Sequence, residues 1–126
     1  VQQIFTSDEP YEDFGGSLAI DGEFMVVGSY SDVSLYRRVN GDYVLEQIIN
    51  TSCAFPSVAL KGNTLAVGES CQESVYVYSR SDTKQQWIPS AEINLNFSSF
   101  GKSLALDNER LVVGTSTSGF AAPLRL

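Results

Sequence analysis

Small or polar residues alternate with apolar ones along Ser17–Ile20, and the chain then passes through Asp21-Gly22 into an unbroken apolar run, Phe24–Gly28. Alternation with period two predicts a half-buried strand, and an unbroken apolar run predicts one covered on both faces. Asp-Gly between two such runs predicts a hairpin, because tight two-residue turns need positive φ. The order returns as "SVAL", Lys61-Gly62 and "TLAVG", then again as "SLAL", Asp107-Asn108 and "RLVVG". Third strands are predicted at "VSLYRR" and "VYVYSR". The first copy then turns at Asn40-Gly41 into a fourth strand, "YVLEQII", whereas the second takes a longer loop, "SDTKQQW", before "SAEINL". No segment keeps a helical period over ten residues. The expected fold is all-β, built from four-stranded antiparallel meanders.

Ser17 to Gly28, Ser57 to Gly68 and Ser103 to Gly114 are each eleven residues apart, and the copies recur after 40 and 46 residues. Self-similarity at a fixed period of this size marks a repeat architecture, and four-stranded units of this length are the blades of a β-propeller. Ser and Ala in the first strands suit crowding near a central axis, although a sandwich interior could also use them. Residues 1–13 read as the outer strand and exit loop of a preceding blade, since "VQQIF" resembles "LEQII". Residues 14–53 and 54–99 read as two blades, and 100–126 as a partial third in which Pro123 is expected to interrupt the outer half. Propellers close with about four to eight blades. About three blades therefore imply part of a larger propeller, or short chains that assemble with the leading strand completing a neighbour's last blade. The chain opens on Val1, which reads as a processed chain or an excised piece.

"FGGSLAIDGEFMVVG" and "FGKSLALDNERLVVG", with the worn copy "AFPSVALKGNTLAVG" between them and "VYVY" after it, resemble the FG-GAP repeats of the integrin α-subunit propeller. They look closer still to the FG-GAP-like repeats of bacterial and protist extracellular proteins. The resemblance covers most of residues 14–118. Copy two departs from it, with Ala54-Phe55 where the others have Phe-Gly. The resemblance implies an extracellular β-propeller and, in several integrin repeats, an Asp-rich calcium loop between the first two strands. The turns "IDGEF", "LKGNT" and "LDNER" are too short to present several oxygen ligands. Asp21 and Asp107 are read as turn residues, and neither a metal nor another cofactor is expected.

Composition narrows the function. A net charge of −7 over 126 residues disfavours nucleic acid, which is bound through Lys and Arg on phosphates. No apolar run is long enough for a membrane helix. Asn50 in "NTS" and Asn96 in "NFS" are glycosylation acceptor patterns 46 residues apart, both expected on blade-to-blade loops at one structural position. Cys53 and Cys71 fall in loops that emerge on one face of a meander, so a disulfide closing about 18 residues is sterically reasonable. The alternative is two buried thiols in a cytosolic protein.

The chain has no His, so the usual general base is missing and no catalysis is expected. Asp8, Glu9, Glu12 and Asp13 cluster before the first repeat. They read as a solvated loop, with a partner-contact loop as the sharper alternative. Tyr36, Tyr76, Tyr78 and Trp87 read as packing between blades, with a sugar-stacking platform as the alternative. The expected function is an extracellular structural or adhesion module presenting propeller loops to a protein or glycan partner, or to further blades of the same or a neighbouring chain. The second reading is a non-catalytic propeller scaffold within a larger secreted enzyme.

Overall fold

The computed structural model describes residues 3–6, 13–115, 119 and 121–126. Strands β1 (Ser17–Asp21), β2 (Phe24–Gly28), β3 (Asp32–Val39) and β4 (Asp42–Asn50) form a first sheet in chain order. Strands β5 (Ser57–Lys61), β6 (Thr64–Glu69), β7 (Ser74–Ser81) and β8 (Gln86–Asn94) form a second. Strands β9 (Ser103–Leu106), β10 (Arg110–Gly114) and β11 (Ala121–Arg125) form a three-stranded third, with β10 in the middle. Every pairing is antiparallel. A single 3-10 turn, Ser70–Gln72, is the one helical element among the described residues.

Two sequence expectations change. The long loop of the second unit is a four-residue turn, because Trp87 and Pro89 already belong to β8, opposite Arg80 and Tyr78. Pro89 is tolerated there because β8 is an edge strand. Pro123 does not interrupt the third unit either. It lies in edge strand β11 opposite Val112, and the Leu126 amide donates to the Glu109 carbonyl at 2.9 Å. Alternate residues 124 and 122 therefore face β10 in the same sense, and the proline nitrogen faces away, where no donor is needed. Residues 3–6 pair with no strand among the described residues.

The sheets stack face to face around two apolar cores. The first joins Phe24, Val26, Val33 and Leu35 to Val58, Leu60, Leu65, Val67 and Trp87. The second joins Ala59, Ala66, Val75 and Val77 to Phe100, Leu111 and Val113. The middle sheet is thus covered on both sides, which is why β6 is buried from Leu65 to Glu69 while in β10 exposed and buried residues alternate. The two outer faces are apolar but open. Leu18 and Ile20 are 66% and 62% exposed, whereas their counterparts Val58 and Leu60 are 8% and 7% exposed. On the far side Val112 is 38% exposed and its counterpart Val26 is 0% exposed.

The eleven-residue Ser–Gly spacing has a steric cause. Ser17 pairs across the hairpin with Gly28, Ser57 with Gly68 and Ser103 with Gly114. Each serine oxygen occupies the space of the missing side chain: a Cβ on Gly28, Gly68 or Gly114 would lie within 2.2, 2.3 or 2.4 Å of it. From that position the hydroxyl reaches the next sheet. Ser17 Oγ donates to the Pro56 carbonyl at 2.7 Å, and Ser57 Oγ donates to the Gly101 carbonyl at 2.6 Å.

A second device repeats along the outer strands. A β-bulge interrupts the β3–β4 pairing at Leu35/Tyr36 and the β7–β8 pairing at Val77/Tyr78. Just past the first bulge, Gln47 clamps the main chain of Trp87, accepting from its amide at 2.7 Å and donating to its carbonyl at 3.1 Å. Gln3 clamps Tyr43 in the same two-point manner, at 3.0 Å both ways. Residues 3–6 therefore lie beside the first sheet as β4 lies beside the second, and Phe5 packs its ring on Tyr36 at 4.9 Å.

Candidate functional site

The β2–β3 loops and the sheet-to-sheet connections emerge at the same end of the stack. Thr51 and Phe55 in the β4–β5 connection donate their amides to the Ser31 and Tyr30 carbonyls of the β2–β3 loop, each at 2.9 Å. At this end a disulfide joins Cys53, in the connection, to Cys71, in the 3-10 turn, with Cα atoms 5.7 Å apart. Glu69 completes the tie. Its buried carboxylate accepts from the Ser52 amide at 2.6 Å and the Cys53 amide at 3.2 Å. Loop amides in a partly dry setting need such a partner, since an unpaired buried donor is costly. The Glu69 charge, second to burial itself, also helps to raise the Tyr78 hydroxyl above its usual range.

The β4–β5 connection also borders an open recess of about 200 Å³ lined by Asp13, Ser17, Ser29, Phe55, Ser57 and Lys102. Phe55 and Tyr30 meet edge to face at 5.3 Å and remain about half exposed. Exposed aromatic pairs beside a concavity are the usual raw material of a binding surface.

The expected aromatics are elsewhere. Trp87 is buried edge-on against Phe24, Tyr78 packs on the same core, and Tyr36 is covered by Phe5. Tyr76 donates its hydroxyl to Gln72 at the loop end. Among the described residues the Trp87 indole N–H has no hydrogen-bond partner.

Asp13 reaches the recess, while Asp8, Glu9 and Glu12 lie outside the described residues. Asn50 and Asn96 are both exposed, but they are not equivalent. Asn50 closes β4 opposite Asp32, and the residue in that place on β8 is Asn94, opposite Ser74. Asn96 sits two residues further on with φ +57°, its amide held by Asn94. The expectation of one shared position is corrected: the second unit gains two residues before its third strand and two in its outer hairpin, so the outer strands are 44 residues apart, and a 46-residue step carries Asn96 past the strand into the connection. Asp107 is a turn residue, accepting from the amides of Glu109 and Arg110 at 2.8 and 2.7 Å. Those bonds hold its carboxyl below the usual carboxylate range. Asp21 reaches further, accepting from the Gly62 amide of the next hairpin at 2.6 Å.

Among the described residues no three His, Cys, Asp or Glu side chains gather as a metal site, and no helix is long and apolar enough to cross a membrane. A disulfide of this kind belongs to an oxidising, non-cytoplasmic environment. Sequence reasoning missed Glu69, for which no pattern gives a signal. It also passed over Phe55, whose signal was present: a phenylalanine where the other copies have glycine.

No family model and no curated protein matches the chain. Among solved structures, Kuenenia stuttgartiensis hydrazine synthase matches with a TM-score of 0.65 and 14% identity over 98% of this chain and 35% of that one. Kluyveromyces lactis Hsv2 matches with a TM-score of 0.59 and 14% identity over 91% of this chain and 33% of that one. The chain thus spans about a third of the length of either structure. At this identity the likeness concerns the fold, and it is β-propeller-like: successive antiparallel sheets stacked face to face, with their connecting loops gathered at common ends.

Proposed function

We propose that the chain is part of a larger β-propeller of FG-GAP-like repeats, and that it serves outside the cell as a structural or adhesion module. Its loop face meets a protein or glycan partner, and it performs no catalysis. The observation that carries the reading is the state of the outer faces. They repeat, uncovered, the apolar surfaces that are closed between the first and second and between the second and third sheets. Gln3 adds to it, holding residues 3–6 where the outer strand of a preceding sheet would run. The disulfide and the two exposed acceptor asparagines support the compartment. The lack of any His among the 126 residues supports a binding rather than a catalytic role.

The likeness to a chain titled hydrazine synthase favours one second reading, a propeller scaffold inside a larger secreted enzyme. The test is the intact mass of the native-source protein before and after N-glycan removal, and again after reduction and alkylation. Glycan at Asn50 or Asn96 with a closed Cys53–Cys71 bridge is the expected result. Bare asparagines and two free thiols would sink the extracellular reading. A larger deglycosylated mass carrying a hydrolase or oxidoreductase domain would decide for the second.

A further inference from the structure

We propose that the recess walled by Phe55 binds a neutral saccharide. This rests on the reading of the loop end as a partner-facing surface, and it names the class of partner.

The argument starts from a backbone angle. Position 55 corresponds to Gly15 and Gly101 in the other copies, and these have φ of +92° and +96°. Phe55 keeps the left-handed geometry, at φ +57°. For an L residue this brings Cβ against the carbonyl oxygen, and for a bulky one it is rare. Glycine would hold the same loop without that conflict. The ring is not used to fill a core, since it is 55% exposed and its ring partner among the described residues, Tyr30, is 47% exposed. A strained residue that adds little to packing is the pattern expected at a binding position.

The surroundings define the ligand. Three serines, Ser17, Ser29 and Ser57, line the same recess, together with Asp13 and Lys102. Ser17 and Ser57 already give their protons to the Pro56 and Gly101 carbonyls, so their oxygens can only accept from a ligand. Hydroxyl acceptors and an aromatic ring lining one recess suit a pyranose, which has an apolar C–H face and a rim of hydroxyl donors. The recess, at about 200 Å³, holds roughly one sugar ring. The protein's net charge of −7 opposes sulfated or uronic sugars, which leaves neutral ones.

The test compares the wild-type chain with Phe55→Gly and Phe55→Trp. Titration calorimetry is run with mannotriose, cellotriose and triacetylchitotriose, and thermal midpoints are measured in parallel. At least one saccharide is expected to bind the wild type. Phe55→Gly is expected to weaken it by about tenfold or more, as loss of an aromatic stacking contact does, without lowering the thermal midpoint. Phe55→Trp is expected to retain binding. Equal affinity in Phe55→Gly overturns the proposal, and so does a lower midpoint, which would make the ring structural. Failure of all three saccharides at millimolar concentration also overturns it and points to a protein partner for this face. That failure leaves the extracellular reading standing, because glycan occupancy and the disulfide are measured separately.

Discussion

Glu46 of the first sheet grips Arg80 of the second with both carboxylate oxygens, at 2.5 and 3.2 Å. The Arg80 side chain is 4% exposed and its guanidinium lies 4.9 Å above the Phe24 ring. Hydrogen bonding to Glu46 is the chief reason that the guanidinium holds its proton more tightly than usual. After Glu46→Ala the guanidinium keeps Asp82 at 3.0 Å, so the loss of the bidentate contact is expected to cost about 1–3 kcal/mol in chemical denaturation. Glu46→Leu combined with Arg80→Met is expected to recover most of that loss. A double variant no better than the single would mean that the charges themselves stabilise the junction.

Gly68→Ala attacks the junction between the second and third sheets. A Cβ there would lie 2.1 Å from the Gly101 carbonyl oxygen and 2.3 Å from Ser57 Oγ, so backbone must move. Overpacking of this kind typically costs about 1–3 kcal/mol. Gly62→Ala meets open space but sits at φ +56°, so it is expected to cost less, about 1 kcal/mol. Thermal melts of the two variants check the order.

Replacing both Cys53 and Cys71 by serine is expected to lower stability by about 3 kcal/mol, because the bridge closes a loop of 18 residues in the unfolded chain. Glu69 still holds the Ser52 and Cys53 amides, so the fold should survive in the double variant. Near-complete unfolding on reduction would show that Glu69 is insufficient.

Burial raises the Tyr36 and Tyr78 hydroxyls above 10.0. A raised acid keeps its proton longer in the folded state than in the unfolded one. Their contribution is therefore whole below about pH 10 and is lost as pH rises through the folded values. Melts across the alkaline range should show this decline, and Tyr78→Phe should make it shallower. An unchanged slope in Tyr78→Phe would assign the decline elsewhere.

The 126-residue chain alone is expected to associate through its open faces, seen as excess light scattering. Ile20→Lys with Val112→Asp places charge on both faces and is expected to reduce the association. A clean wild-type monomer would count against continuation of the stack.

The strands of this fold were legible because alternation, apolar runs and turn dipeptides act locally. Asn40-Gly41 is the turn itself, whereas Asp21-Gly22 marks its hairpin one residue early: Asp21 closes β1 opposite Phe24 and the turn is Gly22-Glu23. The β7–β8 turn was misjudged because Gln86-Trp87 lacks strand alternation and Pro89 suggests a break. Its strand character comes from pairing with β7, where Gln86 and Trp87 lie opposite Ser81 and Arg80, and the Gln47 clamp adds a bond from another sheet. The site was less legible for the same reason. Cysteine positions could be read from the meander, but Glu69 serves loop amides 16 and 17 residues away, which no local pattern encodes.

The side-chain bonds between sheets have a direction in time. Ser17 to Pro56 spans 39 residues, Gln47 to Trp87 spans 40, Asp21 to Gly62 spans 41 and Ser57 to Gly101 spans 44. A ribosome adding about 5–20 residues per second delivers each partner roughly two to nine seconds after the group that awaits it. A newly made sheet therefore waits one repeat, its apolar face exposed to chaperones, and then closes before the next sheet is complete.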